Sequence, residues 1–205
     1  MKKRKIVIIG DSLTSEEPGN WAMQVQARLP AVEVVSEAHG GWSTTSYFRE
    51  RLAYEAFQRV PGNADLCIVL IGSNNLFEAE GGSDAAVADA SEGVVRIVEH
   101  VQKLSPSTRD VLLLAPPTVA LKNVEPESLK LTRRIDHHTP LYLNRLAVAY
   151  KALATAKSWR FVDLFPVLTE QDYADSAHPN EAGQTKLADA ITPAIAAWLE
   201  EKQRS

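Results

Sequence analysis

The sequence predicts an α/β protein: a single-domain three-layer α/β/α sandwich around a five-stranded parallel sheet. Three observations predict it. Short apolar runs rich in β-branched residues and leucine alternate five times with longer stretches of helical periodicity, the signature of strands joined by right-handed helical crossovers. Several of those runs are apolar without alternation, as strands buried on both faces must be. The chain has 205 residues, enough for one full core and small for two, so residues 1–205 are expected to form one domain.

In chain order, Ile6 to Ile9 is a β-branched run ended by Gly10 and reads as a buried strand. Trp21 to Leu29 has helical spacing, and Asn20 before it is a good N-cap. Val32 to Val35 is a second strand, and Ser43 to Phe57 is expected to be helical. Leu66 to Ile71 is a third strand, closed by Gly72. Ala85 to Leu104 repeats Ala, Val and Ile at helical intervals, with Ser83 or Asp84 placed to cap it. Val111 to Leu114 is a fourth strand, stopped by Pro116-Pro117. Leu143 to Ala156 is a helix, and Phe161-Val162 a short fifth strand. Asn180 opens a last helical region, where Thr192-Pro193 makes either a kink or a cap with proline at the first helical position. The irregular stretch 118–142 is the longest. A lid or pocket wall and a solvated excursion with a short helix fit it equally.

Composition narrows the function. A formal net charge of -4 argues against a nucleic-acid partner, which favours a basic face. The single cysteine, Cys67, excludes an intrachain disulfide and a cysteine metal cluster. The start Met1-Lys2-Lys3-Arg4-Lys5 is basic, but the apolar run after it is too short for a signal peptide. No stretch approaches the roughly 18 apolar residues of a membrane span. A cytoplasmic location is the expectation, and oligomeric state stays open.

In a parallel sheet, ligands bind beyond the carboxyl ends of the strands. Gly10-Asp11-Ser12, His39-Gly40-Gly41 and Gly72-Ser73-Asn74 are all expected there. Serine becomes a useful nucleophile only when a base takes its proton, a neutral imidazole can do so, and an acid can hold the imidazole in the right tautomer. Ser12 follows a strand directly, although a turn serine capping a helix would look the same. His178 lies three residues after Asp175, so acid and base can share a loop. A surface histidine in a turn is the plain alternative. His39, His100, His137 and His138 compete for the role of base, with His100 expected to be exposed on its helix. Gly41 allows close approach of a backbone amide, and the side chain of Asn74 can donate to an oxyanion or form an Asx turn. The histidine spacing matches no HExxH-type zinc pattern. No metal or other cofactor is expected.

Together these segments resemble the SGNH hydrolase superfamily, the GDSL-type esterases and lipases. Its first block is present as Gly10-Asp11-Ser12-Leu13, its glycine block as Ser36 to Thr45, its third block as Gly72-Ser73-Asn74-Asn75, and its last as Asp175-Ser176-Ala177-His178. The resemblance runs from Ile6 to about Leu199. It implies a flavodoxin-like strand order and a serine-dependent carboxylic ester hydrolase. It implies a triad of Ser12, His178 and Asp175, and an oxyanion hole from the backbone amides of Ser12 and Gly41 and the side chain of Asn74. Two positions depart from the pattern. Asn75 replaces an Asp that is not an oxyanion donor in the family, and Ser36 replaces a frequent Asn. Both are expected to change local support of turns, not the chemistry. The absence of G-x-S-x-G around Ser12 makes the ordinary α/β-hydrolase fold a poor match.

The expected partner is a small-molecule ester, with a short acyl or acetyl group favoured because no long apolar segment is present to sheath a fatty chain. An acyltransferase or thioesterase would use the same triad. A catalytically silent binding module would need none of it. A flavodoxin-like nucleotide binder is disfavoured, because Gly10 to Ser15 holds one glycine and an acid and no P-loop pattern.

Overall fold

The computed structural model describes residues 3–14, 19–52, 55–121 and 135–204. Five strands form one sheet: β1 (Arg4–Gly10), β2 (Val32–Ala38), β3 (Leu66–Leu70), β4 (Asp110–Ala115) and β5 (Arg160–Asp163). All pair in parallel, in the order β2-β1-β3-β4-β5. This is the flavodoxin-like order implied by the resemblance. The helices are α1 (Trp21–Arg28), α2 (Ser73–Glu78), α3 (Asp84–Leu104), α4 (Thr139–Lys157) and α5 (Glu181–Arg204).

The period-two rule of strands divides the core into two layers. Val7, Ile9, Cys67, Val69, Val111 and Leu113 pack on one face with residues of α2, α3 and α4. Ile6, Ile8, Leu66, Ile68, Leu112 and Leu114 pack on the other with residues of α1 and α5. Because both faces are covered, β1 and β3 carry apolar residues at successive positions. Cys67 lies inside this core and is fully buried.

Asn20 and Ser83, read from the sequence as capping residues, serve as caps, and so does Asn180 at the start of α5. Asn20 Oδ1 accepts the N–H of Met23 at 2.9 Å, Ser83 Oγ that of Ala86 at 3.1 Å, and Asn180 Oδ1 that of Gly183 at 3.0 Å. Helix α5 runs through Pro193 as one element. It neither ends nor restarts there.

Three expectations are corrected. Ser43 to Phe57 is not one helix: its described part forms two short 3-10 turns, Ser46–Phe48 and Glu50–Leu52. The hydroxyls explain it, because they compete with the helical ladder for local backbone groups. The N–H of Ser43 donates to Ser46 Oγ, that of Thr44 to Asn75 Oδ1, and the Tyr47 hydroxyl is drawn down to the carbonyls of Gly10 and Glu37. Second, α4 begins at Thr139, so helix takes the end of the stretch 118–142. The lid expectation for that stretch falls largely on residues 122–134, outside the described residues. Third, His100 is half-buried, its ring centroid 4.4 Å from that of Phe57. No helix among the described residues is long and apolar enough to cross a membrane.

Candidate active site

Ser12 opens a 3-10 turn, Ser12–Thr14, that follows β1 immediately. The turn is held by Asp11, whose Oδ1 accepts the N–H of Leu13 at 2.9 Å while its carbonyl accepts that of Thr14 at 3.0 Å. The approach is tight, since a Cβ on Gly10 would lie 2.7 Å from Thr14 Oγ1.

His178 arrives from a loop pinned at both ends. Tyr173 and Pro179 form an isolated antiparallel bridge, and the N–H of Ala174 donates to the carbonyl of His178 at 2.8 Å. The N–H of Ala120 reaches the carbonyl of Ser176 at 2.9 Å, tying this loop to the chain beyond β4. At its base, Asp172 accepts hydrogen bonds from Thr169 and from the Lys186 ammonium, which hold its carboxyl down at about 2.

This framework brings Ser12, His178 and Asp175 into one hydrogen-bonded chain. His178 Nε2 lies 3.0 Å from Ser12 Oγ. His178 Nδ1 lies 2.7 Å from Asp175 Oδ2. The other carboxylate oxygen accepts the backbone N–H groups of Ala177 and His178, each at 2.7 Å. Desolvation raises the pKa of Asp175, but the hydrogen bonds from the His178 ring and these two amides outweigh it and hold the group below the usual carboxylate range. A carboxylate at Nδ1 assigns the ring proton there and leaves the Nε2 lone pair for the hydroxyl of Ser12.

Gly41 sits in the turn after β2 at φ +76°, a conformation that favours glycine. Asn74 lies in the first turn of α2, nearly buried. Its Nδ2 donates to the carbonyl of Trp42 at 2.9 Å and to Asp11 Oδ2 at 3.2 Å. An oxyanion approaching Asn74 therefore has to displace one of these contacts, and the one to Asp11 is the longer. Asn75 makes a different pair. Its Oδ1 accepts the N–H of Thr44 and its Nδ2 donates to Thr44 Oγ1, both at 3.0 Å.

Several participants were not singled out by the sequence. Asp11 is 1% exposed. Burial pushes its carboxyl up to about 6, against the pull of the Leu13 amide, the His178 charge and the Asn74 amide. Glu37, equally buried, accepts the N–H groups of Phe57 and Arg59 and contacts His39 Nε2 at 2.6 Å. His39 in turn stacks on Trp42 at 3.9 Å between centroids. These residues brace the Gly41 turn from behind. Glu37 stands beside Ser36 at the end of β2, and its place in the sequence gives no signal of this. The rings of His137 and His138 lie 3.8 Å apart between centroids, tilted by 44°, ahead of α4. Neither belongs to the Ser12 chain.

Ser12 and His178 open onto a hollow of about 490 Å³ whose wall includes Gly41 and Asn74. Its apolar surface comes from Leu13, Phe77, Pro117, Val119, Ile135 and Ala177. Short separate segments thus build an apolar wall that no single run in the sequence announces. A larger hollow of about 790 Å³ lies at the amino end of the sheet. Its Arg4, Lys5 and Lys202 are engaged with Asp65, Glu33 and Asp110, and the Ser12 chain is not part of it. Among the described residues, no group of three or more His, Cys, Asp or Glu is arranged to hold a metal ion.

Comparison with curated protein sequences gives no match. Among solved structures, the chain resembles a carbohydrate acetylesterase family member from Sinorhizobium meliloti (17% identity, 96% of this chain and 99% of that one, TM-score 0.73). It also resembles the M. smegmatis aryl esterase (20% identity, 95% and 99%, TM-score 0.69). A third is a member of the lipolytic protein G-D-S-L family from Veillonella parvula (19% identity, 91% and 95%, TM-score 0.66). These likenesses carry the fold. The family model of the GDSL-like lipase/acylhydrolase family matches residues 8–186, a span that contains Ser12, Gly41, Asn74, Asp175 and His178, and the chain belongs to that family of carboxylic ester hydrolases.

Proposed function

We propose that the protein hydrolyses carboxylic esters of short acyl groups, acetyl included, through an acyl-enzyme on Ser12. The observation that carries this reading is the hydrogen-bonded chain from Ser12 Oγ through His178 to Asp175 at the edge of the apolar hollow. The acetylesterase and aryl esterase named among the similar structures act in the same chemical range.

In this mechanism Ser12 Oγ attacks the ester carbonyl carbon while its proton passes to His178 Nε2. Asp175 stabilises the imidazolium through Nδ1. Asp11, a buried acid close enough to act on the His178 charge, favours the same imidazolium when ionised. The carbonyl oxygen becomes an anion between the N–H groups of Ser12 and Gly41 and the amide of Asn74. The tetrahedral intermediate collapses, and the alcohol leaves with the proton from Nε2. Water then gives its proton to Nε2, attacks the acyl carbon and releases the acid and Ser12.

The test is Ser12→Ala, assayed on 4-nitrophenyl acetate with circular dichroism to check the fold. Ser12 ends a strand at a turn whose backbone is held by Asp11, so the variant should fold and lose activity by at least about a thousandfold. Turnover near the wild-type level would refute the assignment of the nucleophile.

A further inference from the structure

The Ser12–His178 pair stands between two hollows, one mostly apolar and one of mixed lining with a larger polar share. The apolar one is described above. The second, of about 300 Å³, shares Ser12, Asp175 and His178 with it but is otherwise bounded by Asn20, Ala174, Pro179 and Gln184. Gln184 lies in the first turn of α5 and is half-buried. Its Oε1 accepts the N–H of Trp21 at 3.0 Å. Trp21 is itself fully buried at the start of α1. That bond fixes which end of the amide faces Trp21, and the NH2 remains as a donor at the wall of the second hollow.

The reaction sorts the two halves of an ester between these spaces. Gly41 and Asn74 both line the apolar hollow and neither lines the second. The carbonyl oxygen therefore points toward the apolar side. The leaving oxygen must come within reach of His178 Nε2 to take its proton. The alcohol half thus passes the histidine, whose far side is the second hollow. An apolar alcohol there would strip water from the Gln184 amide and the Asp175 carboxylate and give nothing back. A hydroxylated alcohol supplies acceptors for the amide and donors for the carboxylate.

We propose that this second hollow is the alcohol subsite, that it takes a polyhydroxylated alcohol of the sugar type, and that the Gln184 NH2 selects it by donating to one of its hydroxyl oxygens. The apolar hollow then receives the acyl group. The proposal rests on the ester-hydrolase reading of Ser12.

The experiment compares kcat/KM for a mono-O-acetylated monosaccharide with that for 4-nitrophenyl acetate, whose leaving group carries no free hydroxyl. Both Gln184→Leu and Gln184→Glu are measured. Gln184→Glu keeps an oxygen for the Trp21 N–H where Gln184→Leu disturbs the junction of α1 and α5, and exchanges the NH2 for a charged acceptor, to which a sugar hydroxyl must donate instead of accepting. The ratio of sugar ester to aryl ester should fall about tenfold in Gln184→Leu, the scale of one hydrogen bond, and should shift in Gln184→Glu as the hydrogen bond reverses and a charge is added. An unchanged ratio in every variant that folds, with both esters turned over, overturns the subsite and leaves the hydrolase reading standing. A wild-type protein that turns over neither ester overturns the hydrolase reading and the subsite with it.

Discussion

Asn74 and Asn75 are adjacent, chemically identical and both buried, yet their partners give them different work. The oxygen that Asn74 is proposed to meet is nearly neutral in the substrate and anionic in the tetrahedral intermediate, so its donor matters more in the transition state than in binding. Asn74→Ala should lower kcat by roughly a hundredfold to a thousandfold with a smaller change in KM. Asn75→Ala should cost about 1–3 kcal/mol of stability, because the buried Thr44 N–H loses its acceptor, and should hurt kcat much less. Steady-state kinetics and urea unfolding of the two variants separate the roles. Equal losses of kcat would remove Asn74 from the oxyanion hole. Asp11 gives a prediction in pH. Its folded pKa of about 6 stands above the ordinary 3.8, so the native state binds this proton more tightly than the unfolded chain. The resulting stability is complete below about pH 4 and is lost as pH rises through about 6. Asp11→Asn removes that dependence. Whatever its constant offset, its stability relative to wild type should improve by about 2 kcal/mol between pH 4 and pH 7. Urea unfolding at the two pH values checks this, and a constant difference would contradict it. At this scale the sequence is legible where short spacing carries the contact, as between Asp175 and His178. It was silent where burial and long-range contact made the role, as for Asp11, Glu37 and the Trp42 carbonyl.

The elements were legible where periodicity meets a capping residue. Strand β1 and helices α1 and α3 were marked by apolar runs together with Gly10, Asn20 and Ser83. The segment after β2 departs from the expected helix because apolar residues at helical intervals coincide there with Ser43, Thr45 and Ser46, whose hydroxyls bond one another, and with Thr44, whose hydroxyl is held by Asn75 and Asp89. Helix α2 went unread because six residues are too few to show a period. Its place is fixed by tertiary contacts instead. Tyr150 of α4 donates to the carbonyl of Ile71 at 2.9 Å, and a Cβ on Gly72, at φ +123°, would lie 2.4 Å from the Tyr150 hydroxyl oxygen. The packing of α3 on the loop after Gly41 gives a test at this scale. A Cβ at Gly93 would come within 2.1 Å of Thr44 Oγ1. Gly93→Ala should therefore destabilise by about 1–3 kcal/mol, although alanine is the better helix former. A rise in melting temperature would show that α3 and this loop are not packed as described.

The whole molecule turns strand order into a site. Five parallel strands end on one rim, and the segments that follow them carry Ser12 after β1, Gly41 after β2 and Asn74, in the first turn of α2, after β3. Asp175 and His178 come from the loop between β5 and α5. Residues 163 positions apart, Ser12 and Asp175, thereby meet through one imidazole without any of them leaving the scaffold that the core dictates. The fold class and the rim were readable from alternation alone. The division of the rim into a mostly apolar hollow and a more polar one was not, since it depends on which distant side chains the folded chain brings together. The central claim is that Ser12 is a nucleophile made reactive by His178. Labelling the folded protein with a fluorophosphonate and mapping the adduct by peptide mass spectrometry tests it most directly. The account predicts one adduct, on the peptide containing Ser12, absent in Ser12→Ala and formed far more slowly in His178→Ala. An adduct on another residue, or none on folded protein that hydrolyses 4-nitrophenyl acetate, would contradict it.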